Sequence, residues 1–169
     1  KNKVKVHLQG NEIVEAEKAL IAVGVQGNIE NMGLEECNIL IEKGWIQINE
    51  FMETSQKNVY VIGDVAGPPW LAHKASAEGI IAVEHMSGLA PEPMRYDNIP
   101  GCTYCHPEVA SVGLTEKMAK EQGYKLKIGK FPFRALGKSM AVGDTDGFVK
   151  VIYDAIYGEM LGCHILGAE

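Results

Sequence analysis

The sequence predicts the tail of an α/β fold followed by an incomplete α+β domain with an antiparallel sheet. An apolar strand at residues 59–62 runs into Gly63 and Asp64, and a Gly- and Pro-rich loop and a helical segment follow it. This strand–loop–helix order is typical of α/β domains. After residue 99 the chain instead alternates strands with short turns, which favours antiparallel pairing.

Composition limits the kind of protein this is. The chain has 169 residues, 46% of them apolar, and a net charge of −6. The acidic balance argues against nucleic-acid or anionic-membrane binding, and no apolar run reaches the roughly 20 residues of a membrane span. Four cysteines are too few for a disulfide-stapled secreted domain. We therefore expect an intracellular protein, located in the cytoplasm or, in a eukaryote, in the mitochondrial matrix.

The first segment, residues 1–27, has the pattern of a strand, a turn and a second strand. Apolar residues alternate up to Leu8, residues 9–12 have turn composition, and residues 19–23 form an apolar run that ends at Gly24. The run at 19–23 predicts a buried strand. Since two strands and a turn are not stable alone, we expect this segment to be the end of a larger domain.

The second segment, residues 28–98, contains the strand and helix that define the α/β part. Short strands are predicted at 45–48 and 58–62. Helical spacing predicts a helix at 71–87 that stops at Gly88. Its apolar face is expected to pack in the core and carries Ala75, Ile80, Val83 and Met86. A linker beginning near Pro91 is expected to end the segment.

The third segment, residues 99–169, predicts the α+β domain. Thr115 is a suitable N-cap and Gly123 a suitable stop for a helix at 115–122. Residues 144–147 have turn composition and lack the later ligands of a calcium loop. The strands of the sheet are predicted at 109–113, 124–133, 148–153 and 159–165.

Asp64 is the strongest candidate for a binding residue. It follows an apolar strand, and ligands of α/β sheets bind at the carboxyl ends of the strands. An ionised carboxylate accepts several hydrogen bonds, so Asp64 is suited to hold sugar-like hydroxyl groups. The alternative is that Asp64 is only the N-cap of the following helix, although two prolines lie between them.

Residues 54–79 resemble the second flavin-binding motif of the pyridine nucleotide-disulfide oxidoreductases. The resemblance implies that Asp64 bonds a ribityl hydroxyl of FAD and that the helix start faces the pyrimidine edge of the isoalloxazine. A helix N-terminus stabilises the negative charge that reduced flavin gathers at that edge. For His73, the alternative is a histidine whose ring is satisfied by the protein itself. The cofactor-binding residues implied are Gly24, Gly63, Asp64, Trp70, Leu71, Ala72 and His73.

Other segments extend the resemblance to almost the whole chain. Residues 19–24 are similar to the end of the NAD-binding domain, although the family continues with Arg-Arg-Pro-Asn where this chain has Val25 to Asn28. The resemblance implies three parts: the end of the NAD-binding domain at 1–27, the end of the FAD-binding and central domain at 28–98, and a truncated interface domain at 99–169. The interface domain matches at 99–100, 104, 106–115, 130–133, 146–150 and 161–167.

The resemblance also implies an activity. Within the family, the segments at 106–109 and 130–133 are most similar to the members that act on lipoamide. Those members oxidise protein-bound dihydrolipoamide and pass electrons through a redox disulfide and FAD to NAD⁺. The partners implied are a second copy in a homodimer and a lipoyl-bearing acyltransferase or glycine-cleavage component. Related disulfide and mercuric reductases share the architecture. The family's redox cysteine pair, its His-Pro…Glu acid/base and its Gly-rich turn for the ADP half of FAD are absent from this sequence. We therefore expect an incomplete FAD site, no catalytic residue and no activity from this piece alone. We also expect no metal site.

Two alternatives of other classes remain open. The chain could serve only as a dimerisation or structural module. Residues 102–106 also fit the C-x-x-C-H pattern of covalent haem attachment and place Cys102 and Cys105 at redox-pair spacing. Against a disulfide there, residues three apart on a strand point to opposite faces, and both cysteines could be small apolar side chains in a strand.

Overall fold

The computed structural model describes residues 3–167, which begin with an exposed β-hairpin. Strands β1 (Val4–His7) and β2 (Ile13–Ala16) pair antiparallel, with Val6 opposite Val14. The intervening turn contains Gly10 at φ 95° and Asn11 at φ 66°, both residue types that tolerate this left-handed conformation. The first predicted strand and its turn are therefore confirmed.

The predicted buried strand at residues 19–23 is wrong. This segment belongs to none of the strands of residues 3–167, and Leu20, Ile21 and Val23 are 92%, 82% and 91% exposed. A strand needs a neighbour to pair its backbone N–H and C=O groups. No described strand lies beside this run, so its apolar side chains remain exposed.

A small apolar core lies behind a short hairpin in the second segment. Strands β3 (Ile41–Glu42) and β4 (Trp45–Ile46) are joined through Lys43 and Gly44, which both have positive φ, at 54° and 84°. The strand predicted at 45–48 is thus confirmed over two residues. The buried residues are Leu34, Ile39 and Ile46, and Ile29, Ile41, Val59, Val61 and Val65 pack against them.

The strand predicted at 58–62 is largely absent. Tyr60 forms a single antiparallel bridge with Glu53, and the Val61 N–H donates to the Met52 carbonyl at 3.0 Å. Beyond this bridge the segment has no strand partner among the described residues, and Ile62 is 43% exposed. A short 3₁₀ helix, Asp64–Ala66, follows.

The predicted helix is confirmed as α1 (Ala72–Met86), with Leu71 as N-cap and Ser87 as C-cap. The residues it buries are Lys74, Glu78 and Ala82. The apolar residues expected in the core are instead exposed: Ile80 by 62%, Val83 by 63% and Met86 by 55%. The predicted core face was therefore wrong, because the buried face carries a charge pair that apolar spacing does not reveal.

The third segment forms one antiparallel sheet, as predicted. Its strand order is β5-β6-β9-β8-β7, so β9 lies between β6 and β8. The strands are β5 (Gly101–Thr103), β6 (Glu108–Gly113), β7 (Leu126–Pro132), β8 (Gly147–Asp154) and β9 (Met160–Gly167).

Two short helices accompany this sheet. In α2 (Glu116–Glu121), the Thr115 side chain accepts a hydrogen bond from the Met118 N–H at 3.2 Å, which confirms the predicted N-cap. The second helix, α3 (Gly137–Val142), was not predicted. It begins at a glycine and has no side-chain N-cap, so its start leaves no signal in the sequence.

Glu116 ties α2 to the sheet and predicts a pH effect. Its carboxylate accepts hydrogen bonds from Lys120 and Lys150, both at 2.6 Å. These bonds lower the pKa of the Glu116 carboxyl from 4.5 to about 2. A lowered pKa in the folded state stabilises the protein above the unfolded pKa, and this contribution is lost as pH falls through the folded pKa.

We therefore expect the native protein to lose its stability advantage over Glu116→Gln as pH falls from 4.5 toward 2. The melting temperature of both proteins across this range measures the effect. Glu121→Gln on the same helix is the control, since its carboxylate lies 3.9 Å from Lys117 in an exposed pair. If the melting temperatures of the native protein and Glu116→Gln changed in parallel with pH, the lowered pKa of Glu116 would be contradicted.

Within residues 3–167 no helix combines the length and apolar character needed to cross a membrane.

Candidate functional site

The candidate site is built on a glycine-bounded turn, residues 63–67, which we call the acidic turn. Gly63 has φ 81° and ψ −154°, and Gly67 has φ 107°. Residues with a Cβ rarely adopt these conformations, so the two glycines allow a sharp reversal at each end of the turn. Gly63 and Gly67 are buried, whereas Asp64 is exposed.

A buried ion pair holds both ends of the acidic turn. The Lys74 Nζ donates to the carbonyl oxygens of Gly63 at 3.1 Å and Gly67 at 2.9 Å, and lies 3.1 Å from Glu78 Oε1. The other carboxylate oxygen, Oε2, accepts the Gly63 N–H at 2.8 Å. The two charged side chains are 1% and 0% exposed, so helix α1 fixes the turn from inside the protein.

The buried charges of Lys74 and Glu78 are fully hydrogen-bonded, which offsets the free-energy cost of burying them. Removing two charges from water costs several kcal/mol per ion, roughly, unless good geometry and further hydrogen bonds compensate. In residues 3–167 every buried side-chain nitrogen and oxygen has a partner. Tyr96 completes the network, because its hydroxyl donates to Glu78 Oε1 at 2.7 Å. Burial, followed by the hydrogen bond to Glu78 and its charge, raises the pKa of Tyr96, which keeps the hydroxyl a donor.

Asp64 is exposed, and its carboxylate accepts no hydrogen bond from residues 3–167. Its two oxygens therefore keep their full capacity for an external hydroxyl or N–H donor. The alternative in which Asp64 caps helix α1 is wrong, because Leu71 occupies the N-cap and no side chain bonds there.

The start of helix α1 supplies unpaired backbone donors. The first N–H bonded within the helix is that of Ala75, to the Leu71 carbonyl at 3.1 Å. The N–H groups of Ala72, His73 and Lys74 consequently lack an intrahelical acceptor. No acidic side chain lies in the first turn. This end of the helix favours a ligand that carries negative charge.

His73 connects the helix start to the third segment. Its Nε2 lies 2.7 Å from the Pro100 carbonyl oxygen, and since a carbonyl only accepts, this nitrogen carries the proton. The protein therefore satisfies one ring nitrogen, as the alternative for this residue supposed. The role of His73 toward flavin stays a prediction.

Trp70 and Gly24 meet beside the helix start. The Trp70 ring lies 5.5 Å from the Trp45 ring, centroid to centroid, and is 37% exposed. Gly24 has φ 109°, and a Cβ atom there would lie 3.5 Å from the Trp70 ring. Gly24 therefore lies beside Trp70. The other six predicted residues lie around the start of α1: Gly63, Asp64, Trp70, Leu71, Ala72 and His73.

Lys74, Glu78 and Tyr96 were missed by the sequence reasoning. One signal was present: Lys74 and Glu78 are four residues apart, and a lysine in the first turn of a helix is unfavourable for the helix dipole. Tyr96 had no such signal, because it contacts Glu78 across 18 residues of chain.

The cysteines form no disulfide in this structure. All four are free thiols, and Cys105 Sγ lies 3.1 Å from the Pro107 carbonyl oxygen. Cys102 lies within β5 and Cys105 beyond its end. Among residues 3–167 no cluster of three His, Cys, Asp or Glu side chains could hold a metal ion.

The sequence matches two models of one protein family. Residues 1–79 match the pyridine nucleotide-disulphide oxidoreductase model, and residues 99–169 match the model of the dimerisation domain of the same family. The chain belongs to this family. Membership confirms the predicted fold class and implies the use of FAD and a pyridine nucleotide.

Within this family, the chain is similar to several dihydrolipoyl dehydrogenases. The chain is 53% identical to a dihydrolipoyl dehydrogenase of Zymomonas mobilis over 89% of its length, and 51% identical to one of Bacillus subtilis over 90%. It is 42% identical to the mitochondrial dihydrolipoyl dehydrogenase of Canis lupus familiaris over 98% of its length. The chain spans about a third of the length of these relatives, 32–33%.

Solved structures agree with the fold. An HOCl-induced flavoprotein disulfide reductase from Escherichia coli, RclA, superposes with a TM-score of 0.88 at 24% identity, covering 100% of this chain and 39% of its own. LpdA from Mycobacterium tuberculosis gives a TM-score of 0.87 at 24% identity, covering 96% of this chain and 36% of its own. At this identity the likeness concerns the fold alone.

Proposed function

We propose that this chain forms the part of a dihydrolipoyl dehydrogenase that binds the ribityl chain and the pyrimidine edge of FAD. The observation that carries the proposal is the unpartnered Asp64 carboxylate, held by the acidic turn next to the uncapped start of helix α1. The names of the relatives support the choice of the lipoamide enzyme over other disulfide reductases.

The groups present fit this cofactor. A carboxylate accepts hydrogen bonds from hydroxyls, which matches the polyol chain of FAD, and backbone N–H groups donate to the electron-rich edge of the ring system. Bound FAD supplies a carrier of electrons between a dithiol and a nicotinamide. The residues of this chain contribute binding, orientation and electrostatics: Asp64 accepts, the start of α1 donates, and Trp70 and Leu71 exclude water beside the ring.

The remaining roles follow from family membership. Gly24, with its positive φ, allows close approach of a nucleotide, which is the predicted role toward NAD⁺. Residues 99–169 match a dimerisation domain, which supports a homodimer. The substrate is protein-bound dihydrolipoamide, carried by an acyltransferase or a glycine-cleavage component.

A second candidate is a dimerisation or structural module without a bound cofactor. It is favoured by the exposed apolar side chains of Ile80, Val83 and Met86 on α1, since such patches associate. A flavin titration and a molecular-mass measurement on the complete protein that contains this chain separate the two candidates: binding of FAD supports the first, and self-association without flavin binding supports the second.

The experiment that tests the first candidate is Asp64→Ala in the complete flavoprotein that contains this chain. Each hydrogen bond to a charged group contributes about 1.5–3 kcal/mol, so loss of the carboxylate should weaken FAD binding at least about tenfold. The flavin-to-protein absorbance ratio after gel filtration measures retention. Asp64→Asn keeps one acceptor oxygen and should retain more FAD, and Asp146→Ala, an exposed acid directly before β8, is the control. Unchanged flavin content in Asp64→Ala would remove the proposed role.

A further inference from the structure

We propose that Tyr96 is a positioning residue for the flavin site, coupling the linker before the interface domain to the acidic turn through Glu78. This inference rests on the proposed FAD function. It concerns a residue that lies outside the turn and outside helix α1 and that acts on the site only through another side chain.

The position of Tyr96 in the chain makes it a connection between two parts of the protein. It begins a 3₁₀ helix, Tyr96–Asn98, just before β5 of the interface sheet. From there its hydroxyl reaches Glu78 Oε1 at 2.7 Å, and the same hydroxyl lies 3.7 Å from the Sδ of Met52, a residue that is 0% exposed. The phenol thus joins the linker to the buried face of helix α1.

Glu78 transmits this contact because its two oxygens face different partners. Oε1 receives the Tyr96 hydroxyl and the Lys74 ammonium, whereas Oε2 receives the Gly63 N–H at 2.8 Å. Without the hydroxyl, Lys74 alone holds Oε1, and the carboxylate can rotate. Rotation would weaken the bond to Gly63, the residue that immediately precedes Asp64, and the Asp64 carboxylate would lose its fixed direction.

The first residues of the third segment, directly after the linker, make a second contact with the same region. The His73 Nε2 donates to the Pro100 carbonyl oxygen at 2.7 Å, at the start of α1. The flavin site is therefore contacted at two points: Tyr96 of the linker reaches the acidic turn through Glu78, and Pro100 of the third segment reaches the helix start through His73. Movement of the interface domain would reach the flavin site by these two hydrogen bonds.

The test compares Tyr96→Phe with Tyr60→Phe in the complete flavoprotein. Both changes remove one hydroxyl that bonds to a side chain of α1, and the Tyr60 hydroxyl lies 2.8 Å from His85 Nδ1, in the last turn of the helix. We expect FAD to dissociate about tenfold faster from Tyr96→Phe, the effect of losing one hydrogen bond to a charged group. For Tyr60→Phe we expect a change of no more than about twofold, because its effect is on stability alone.

Two further measurements separate positioning from simple destabilisation. In a melt followed by flavin fluorescence and by circular dichroism, Tyr96→Phe should release FAD at a lower temperature than it unfolds, and its visible flavin absorption band should shift. Tyr60→Phe should show neither effect. Glu78→Gln is a second variant, in which the same early release of FAD is expected because the pairing of Gly63 and Lys74 with one carboxylate is lost.

The outcomes decide the inference. Early release and a shifted flavin band in Tyr96→Phe and Glu78→Gln, but not in Tyr60→Phe, support it. Equal FAD dissociation from the two tyrosine variants, or release that coincides with unfolding, overturns it. If Asp64→Ala loses flavin while Tyr96→Phe retains it normally, only this inference fails. If Asp64→Ala also keeps its flavin, the FAD function itself fails.

Discussion

Lys74→Met is expected to destabilise the protein by about 3–5 kcal/mol, the usual loss when one partner of a buried ion pair is removed. The substitution leaves Glu78, which is 0% exposed, without its cation. It also removes the donor to the carbonyl oxygens of Gly63 and Gly67, which lie 3.1 and 2.9 Å from Lys74 Nζ. The Gly67 end of the acidic turn would lose this attachment to α1, and the Gly63 end would keep only its N–H bond to Glu78.

The measurement is the free energy of unfolding from urea titration, and the double variant Lys74→Met/Glu78→Met is the matched control. Replacing both charges with apolar side chains avoids an unpaired buried charge, so the double variant should recover part of the loss. A single variant as stable as the native protein, or a double variant less stable than the single, would contradict the role assigned to the pair.

Gly147→Ala is expected to cost more than about 3 kcal/mol, because it combines backbone strain with a backbone clash. Gly147 has φ 129°, and a Cβ atom there would overlap the Leu166 carbonyl oxygen and lie 2.9 Å from the Gly167 Cα. These atoms belong to β9, which pairs with β8 at this point, so the central ladder of the sheet would have to open.

Gly158→Ala is the control that separates strain from clash. Gly158 also has a positive φ, 73°, but a Cβ atom there has nothing within 4 Å. The strain alone should cost about 1–2 kcal/mol. Denaturant unfolding of both variants gives the comparison, and equal losses would show that the close approach of β8 and β9 does not matter.

The sequence predicted best those elements whose partners lie within the described chain. The sheet of the third segment and the hairpin turn after β1 depend on neighbours a few residues to a few tens of residues away, and both were predicted. Residues 19–23 and 58–62 were predicted as strands from apolar composition. No described strand lies beside the first, and the second pairs only through the bridge at Tyr60, so neither forms a ladder.

The buried face of helix α1 shows a different limit of prediction from sequence. Its length, start and stop follow from spacing and from Gly88, but its buried face does not. Apolar spacing favoured the side with Ile80 and Val83, whereas Lys74 and Glu78 are the side chains that are buried. An ion pair can be exposed and hydrated, or buried and fully hydrogen-bonded. The sequence is the same in both cases, and only the three-dimensional contacts distinguish them.

The sequence pointed to the exposed residue of the candidate site, Asp64, but not to the buried residues that hold the acidic turn. Asp64 was identified because a carboxylate at the end of a strand has a recognisable position in the chain. The residues that hold it, Lys74, Glu78 and Tyr96, act through hydrogen bonds to backbone atoms and to one another. Only the four-residue spacing of Lys74 and Glu78 leaves a signal in the sequence, because Tyr96 lies 18 residues away from Glu78.

The most direct test of the central claim is a crystal structure of the complete flavoprotein with FAD bound. We expect an Asp64 carboxylate oxygen within about 2.5–3.0 Å of a ribityl hydroxyl, the ordinary range for such a hydrogen bond. We also expect the N–H groups at the start of α1 to face the pyrimidine edge of the isoalloxazine. An Asp64 side chain directed into solvent or bonded to another protein group, with FAD held elsewhere, would contradict the claim.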